Sequence, residues 1–227
     1  MPRAASNPIA GRLRGPAGRA GSARGFVLSQ CRPEAALPWA RRGLGPVLVG
    51  TLDGWTVVAP DGLPRARFPY DDAVRTLAGR PVGLRMRPAL GFFQVGRQAV
   101  VTVHPQQWRA VERWAVWTPR DAAVVTPGLP TARPEDLVAA AGLTGSAALA
   151  AGAGLHDLWA DGGRDAAGIL TATLLELGLP GGDLVTGAAR AGELDGVRRI
   201  VPKDRHARAF DKLVQEEERY RLEEEGS

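Results

Sequence analysis

The 227 residues suffice for one full domain or two small ones, and a hydrophobic share of 44% is that of an ordinary soluble globular chain. A single cysteine, Cys31, excludes an internal disulfide framework and a cysteine-rich zinc module. The net charge of +5 hides a division at Arg133: residues 1–133 hold 19 Arg, no Lys and 7 acids, and the remainder holds 10 basic residues against 17 acids. This asymmetry predicts a basic surface beside an acidic helical region, and the scarcity of Lys matches the codon usage of a GC-rich bacterial genome.

Residues 1–25 carry five Arg and no acid, without apolar periodicity or a run of signal-peptide length. Such a composition buries too little surface to offset its ordering entropy, so it is expected to be a disordered basic arm. The arm reads as a solvated tail, as a translated leader from a misplaced start codon, or as a contact for nucleic acid or another anionic surface. With no export signal and one cysteine, the expected compartment is the cytoplasm.

The clearest local signal follows. Two β-branched runs, VLVGTL and WTVVAP, flank Asp53-Gly54, the pair that a tight type I′ hairpin demands because both central positions need φ > 0. Tyr70–Ala78 reads as a short helix with Asp71 and Asp72 at its positive end and Gly79 stopping it. The segment 82–87 (VGLRMR) reads as a strand on which Arg85 and Arg87 point away from Leu84 and Met86. Gly96-Arg97 then makes a two-residue hairpin between Phe92–Val95 and Gln98–Val101. Pro105–Val116 reads as a helix with Trp108, Val111, Trp114 and Ala115 on one face, although its WAVW tail reads equally as strand.

Beyond the proline-rich linker 119–134 the pattern turns helical. Pro134-Glu135-Asp136 opens one helix, and Ile169, Leu170, Leu174 and Leu177 mark another from about Asp165 to Leu177, closed by Gly178 and Pro180. Gly181–Ala191 reads as a shorter helix, Val197–Val201 as a strand, and Asp204 as the cap of a long terminal helix. The uncharged stretch Val138–Leu155 has the length of a membrane span, but it is mostly Ala and Gly, so no membrane contact is expected. The expected fold is α+β: a basic arm (1–25), an antiparallel β-rich region with hairpins and one or two helices (26–130), and a mostly helical region (134–225) ending in an amphipathic helix.

No Walker loop, dinucleotide fingerprint, GxSxG elbow or HExxH occurs, and Gly91–Gly96 lies inside a hairpin with no helix behind it. His104, His156 and His206 are scattered, only His156 has a carboxylate beside it in sequence, and Cys31 has no visible base. Asp157, Asp161 and Asp165 are spaced by four, but Gly162-Gly163 interrupts them and caps are the expected role. No catalytic residue, metal or cofactor is therefore expected.

Two surfaces remain. Arg85, Arg87, Arg97, Arg109 and Arg113 are the candidate anion or partner surface. Phe210, Leu213 and Tyr220 form a candidate stripe for a partner helix. The first expectation is a cytoplasmic protein acting through contact with another protein. The alternatives are a nucleic-acid binder using the arginines with nearby tryptophans, and a small-ligand enzyme with a dispersed site. One exposed arginine patch favours nucleic acid, and a pocket holding His104 or His156 beside an acid favours the enzyme.

Overall fold

The computed structural model describes residues 24–68, 70–107 and 110–225. Its strands are Arg24–Ser29 (β1), Val47–Leu52 (β2), Trp55–Pro60 (β3), Ala89–Val95 (β4), Gln98–His104 (β5), Arg113–Thr118 (β6), Ala122–Val124 (β7) and Asp195–Ile200 (β8). Its helices are Pro33–Ala40 (α1), Ala73–Ala78 (α2), Pro134–Ala141 (α3), Gly145–Ala160 (α4), Ala166–Glu176 (α5), Gly182–Thr186 (α6) and Asp204–Glu225 (α7). The described strands form one antiparallel sheet in the order β7-β6-β5-β4-β1-β3-β2-β8, and the fold is α+β.

Local chemistry sets the hairpins. Asp53 (φ 47°) and Gly54 (φ 81°) both occupy the left-handed region between β2 and β3, and Leu52 pairs with Trp55. Gly96 (φ 62°) supplies the positive φ between β4 and β5, where Val95 pairs with Gln98.

Side chains alternate across the sheet, and each face is covered by its own helices. On one face Val27, Val49, Val58, Phe93, Val100 and Trp114 pack with α1 and α2 through Ala36, Leu37, Val74 and Leu77. On the other, Phe26, Leu28, Leu90, Phe92, Val101 and Trp117 pack against Leu137, Leu155, Ile169, Leu170, Leu174 and Val185 of α3–α6. The helical half is thus the second cover of the sheet, and β8 returns to lengthen the sheet beside β2.

Several boundaries differ from the sequence reading. Arg24 and Gly25, expected in the arm, open β1 and pair with Gln94 and Phe93; residues 1–23 lie outside the described ones. The segment 82–87 is not a strand. Leu84–Met86 is a turn of 3-10 helix, with Met86 buried under the sheet and the Arg87 guanidinium donating back to Val82 O. The helix expected over 105–116 is also absent among the described residues: Arg113–Thr118 is β6, paired along β5. Trp114 and Trp117, three apart, are both buried because strand alternation sends them to opposite faces, which one helical stripe could not do. Trp108 and Arg109 lie outside the described residues. The uncharged stretch spans the end of α3 and the first two-thirds of α4. Among the described residues no helix is long and apolar enough to cross a membrane.

Candidate functional site

Among the described residues, the predicted arginines do not form one patch. Arg97 sits at the β4–β5 turn, while Arg87 and Arg113 lie at the opposite end of those strands, roughly 20 Å away at the rise of a strand. Arg87 is half-buried and donates to Val82 O and Ala110 O. Arg113 pairs with Asp136 at the start of α3 at 3.0 Å. Arg85 is exposed, and Arg109 is outside the described residues. Trp114 and Trp117 are sealed in the two cores, so neither offers an open stacking platform.

The terminal helix is held at its beginning. Arg65 pairs with Asp204, Ala207 is buried, and Phe210 meets Tyr70 edge-on at 4.8 Å. Further along, Leu213 is 53% and Tyr220 61% exposed. The expected stripe is therefore divided, with Phe210 used within the chain and the other two facing solvent. Four ion pairs among the described residues join the two halves of the chain. Arg65–Asp204 and Arg113–Asp136 join the basic half to the acidic one, but Glu34–Arg198 and Asp61–Arg199 run the other way.

Two polar constellations were not legible in the sequence. The first is buried. His104, at the end of β5, places Nε2 3.5 Å from Glu112 Oε1 and 3.4 Å from Thr102 Oγ1. Burial pushes the His104 imidazole down to about 3, with the Arg87 charge adding to the effect. Burial also pushes the Glu112 carboxyl up to about 8, against the opposing pull of Arg87. At neutral pH the favoured state is thus a neutral imidazole beside a protonated carboxyl. His104 Nδ1 and Glu112 Oε1 have no hydrogen-bond partner among the described residues. Neither residue is among those lining the cleft between the β2–β3 turn, α6 and β8. His156 is exposed on α4. Of the three spaced aspartates, Asp165 caps α5 by accepting from Gly168 N at 2.7 Å, and among the described residues no cluster of acids, His or Cys could hold a metal ion.

The second constellation is open. A cleft of about 390 Å³ lies where the β2–β3 turn, the end of α5, α6 and the start of β8 converge. Its floor is apolar, formed by Leu52, Leu174, Leu179, Leu184 and Leu194. Four carboxylates stand around it, Asp53 from the hairpin turn, Asp183 from the first turn of α6, Glu193 from the 3-10 turn Ala191–Glu193, and Asp195 from β8. Arg190 is the one cation among its lining residues.

Local requirements shape this cleft. Gly181 has φ 110°, and a Cβ there would meet the Phe26 ring at 2.5 Å, so only glycine lets the chain turn into α6 against the core. Glu193 accepts from Arg190 N at 3.1 Å, which fixes the turn leading to β8. Thr171 Oγ1, buried in the lining, has no hydrogen-bond partner among the described residues.

The chain matches no protein-family model, no curated protein and no solved structure.

Chemically, the cleft suits a ligand carrying both positive charge and an apolar group. The carboxylates come from four separate elements and do not converge as a metal site does, so they act as a rim of negative potential around an apolar floor. Such a rim attracts a guanidinium or ammonium, while the leucines reward burial of an aliphatic group. A local hint existed in the sequence, since 174–195 interleaves leucines with Glu176, Asp183, Glu193 and Asp195. Asp53, more than a hundred residues earlier, could be added only by the fold.

Proposed function

We propose that this protein acts by contact with another protein, holding a short basic segment with an aliphatic side chain in the cleft between the β2–β3 turn, α6 and β8, without chemistry upon it. The observation that carries this reading is the cleft's composition, four carboxylates and one arginine around a floor of leucines. Shape alone would admit many ligands. The charge selects cationic ones, and the leucine floor favours a peptide with an aliphatic side chain over a compact ion.

Supporting this choice, the lining contains no His, Cys, Ser or Lys, so none of those nucleophiles or bases stands there. The nucleic-acid reading draws less support from the described residues, where the arginines separate and Trp114 and Trp117 are buried. A rim of carboxylates also repels phosphates.

Selection of random heptapeptides displayed on phage against the full chain tests the proposal. The expected outcome is a consensus of Arg or Lys alternating with Leu, Ile or Val, with binding that weakens as salt rises. Replacing Asp183 and Asp195 with Lys should abolish recovery of those peptides. An acidic consensus, or one that survives both replacements, would overturn the assignment.

A further inference from the structure

The cleft lies close to where the chain enters the described fold. β1 begins at Arg24, whose guanidinium donates to Val185 O at 3.4 Å and to Thr186 O at the end of α6. It lies over Gly187, where φ is 80° and a Cβ would meet its Cζ at 2.5 Å. The opposite end of this five-residue helix, Gly182 and Asp183, lines the cleft. A helix of that length is about 8 Å long. The chain preceding Arg24 therefore starts about one short helix away from the acidic rim.

That preceding chain has the composition the cleft suits. Residues 1–23 hold Arg3, Arg12, Arg14 and Arg19 and no acid. Within them Ile9-Ala10-Gly11-Arg12-Leu13-Arg14-Gly15 alternates. In an extended conformation Ile9 and Leu13 fall on one side and Arg12 and Arg14 on the other. An extended segment with Leu13 on the leucine floor leaves both arginines on its outer side, from which their long side chains can bend back to the carboxylates around the cleft. The nine residues 15–23 span up to roughly 30 Å, so reach is no obstacle.

We infer that the segment 9–15 of this chain is itself an occupant of the acidic cleft, with Leu13 seated among Leu52, Leu174, Leu179 and Leu194, and Arg12 and Arg14 paired with the surrounding carboxylates. The inference rests on the cleft reading above and deepens it. An external partner then competes with a tethered copy of its own motif. Short flexible tethers give effective concentrations of about a millimolar. A segment whose free-peptide dissociation constant is near 100 µM is then bound most of the time, and a competitor's apparent affinity falls roughly tenfold.

A fluorescent synthetic peptide with the sequence of residues 8–16, titrated into full-length protein, tests this by anisotropy. Three proteins are compared: the parent, an arm variant (Arg12→Ala, Leu13→Ala, Arg14→Ala), and the arm variant with Asp183→Ala and Asp195→Ala added. The arm variant should bind the peptide about tenfold tighter than the parent, and the added cleft changes should remove that binding. Equal affinity of parent and arm variant, with binding still lost in the third protein, overturns the tethered occupant and leaves the cleft reading standing. Peptide binding unaffected by the cleft changes, or absent from the arm variant, overturns the cleft reading itself.

Discussion

Two groups of ionisable residues sit by the same strand ends of the sheet, separated sideways by β4 and β1, and the fold treats them in opposite ways. His104 and Glu112 are enclosed at the end of β5, where burial drives both toward their neutral forms. Asp53, Asp183, Glu193 and Asp195 stand around an open cleft, with solvent on one side and leucines below. A charge sealed under other chain segments must be neutralised or paired, so it affects stability. A charge on a rim remains solvated and affects what can approach, so it governs binding. The residue types are much the same, and the covering structure decides which role each takes.

This contrast can be broken at Gly181, which belongs to both worlds. It lines the cleft, and its missing side chain is the space filled by the Phe26 ring of the core. Gly181→Val combines a backbone strained at φ 110° with direct overlap on a buried aromatic. Together these should cost about 2–5 kcal/mol in urea unfolding, with peptide binding lost as well. A variant within ~1 kcal/mol of the parent would show that core and cleft are not coupled there.

A smaller effect should separate the buried pair from the cleft through pH. Glu112 has a folded-state value raised to about 8, so the folded state holds its proton more firmly and its contribution to stability is lost as pH rises toward 8. His104 is lowered to about 3, so its contribution is the reverse, gained as pH rises through its ordinary range near 6.5. Between 4.5 and 6.5 the two slopes oppose one another. Above pH 6.5 only the Glu112 limb remains, and stability should fall by about 1–2 kcal/mol by pH 8.5. Glu112→Gln imitates the protonated carboxyl and should flatten that limb, as read from urea unfolding at pH 6.5 and 8.5. An equal fall in both proteins would place the titration elsewhere.

The sequence carried the local half of this architecture well. Asp53-Gly54, Gly96-Arg97, the Pro134 start, the Asp165 cap and the Asp204 start are each set by a few adjacent residues, and each stands where its chemistry placed it. Failures arose where short segments obeyed two periodicities. Over six residues, RWAVWT fits a helical face as readily as a strand, and only pairing along β5 decides it. VGLRMR alternates like a strand, yet Met86 is taken into the core by a 3-10 turn. The cleft was illegible for a different reason. Asp53 and Asp183 are 130 positions apart, and they share a rim only because α5 and α6 cover the end of the β2–β3 hairpin. Likewise, His104 and Glu112 meet through the loop leading into β6, where a helix was expected.

The smallest effect sharpens the comparison most. Asp183→Ala with Asp195→Ala should leave unfolding free energy within ~0.5 kcal/mol of the parent at neutral pH. Two opposed contributions make it small. Asp183 lies in the first turn of α6, and its loss there removes about 0.3–1 kcal/mol of favourable interaction with the helix end. Against that, removing two carboxylates relieves repulsion from Asp53 and Glu193, about 0.4 kcal/mol for each pair of like charges 10 Å apart in water. Salt screens both contributions, which only the parent retains, so raising ionic strength should leave parent and double variant within the same ~0.5 kcal/mol of one another. A loss of ~2 kcal/mol or more would mean that these carboxylates hold the fold together, and their value in separating binding from stability would be gone.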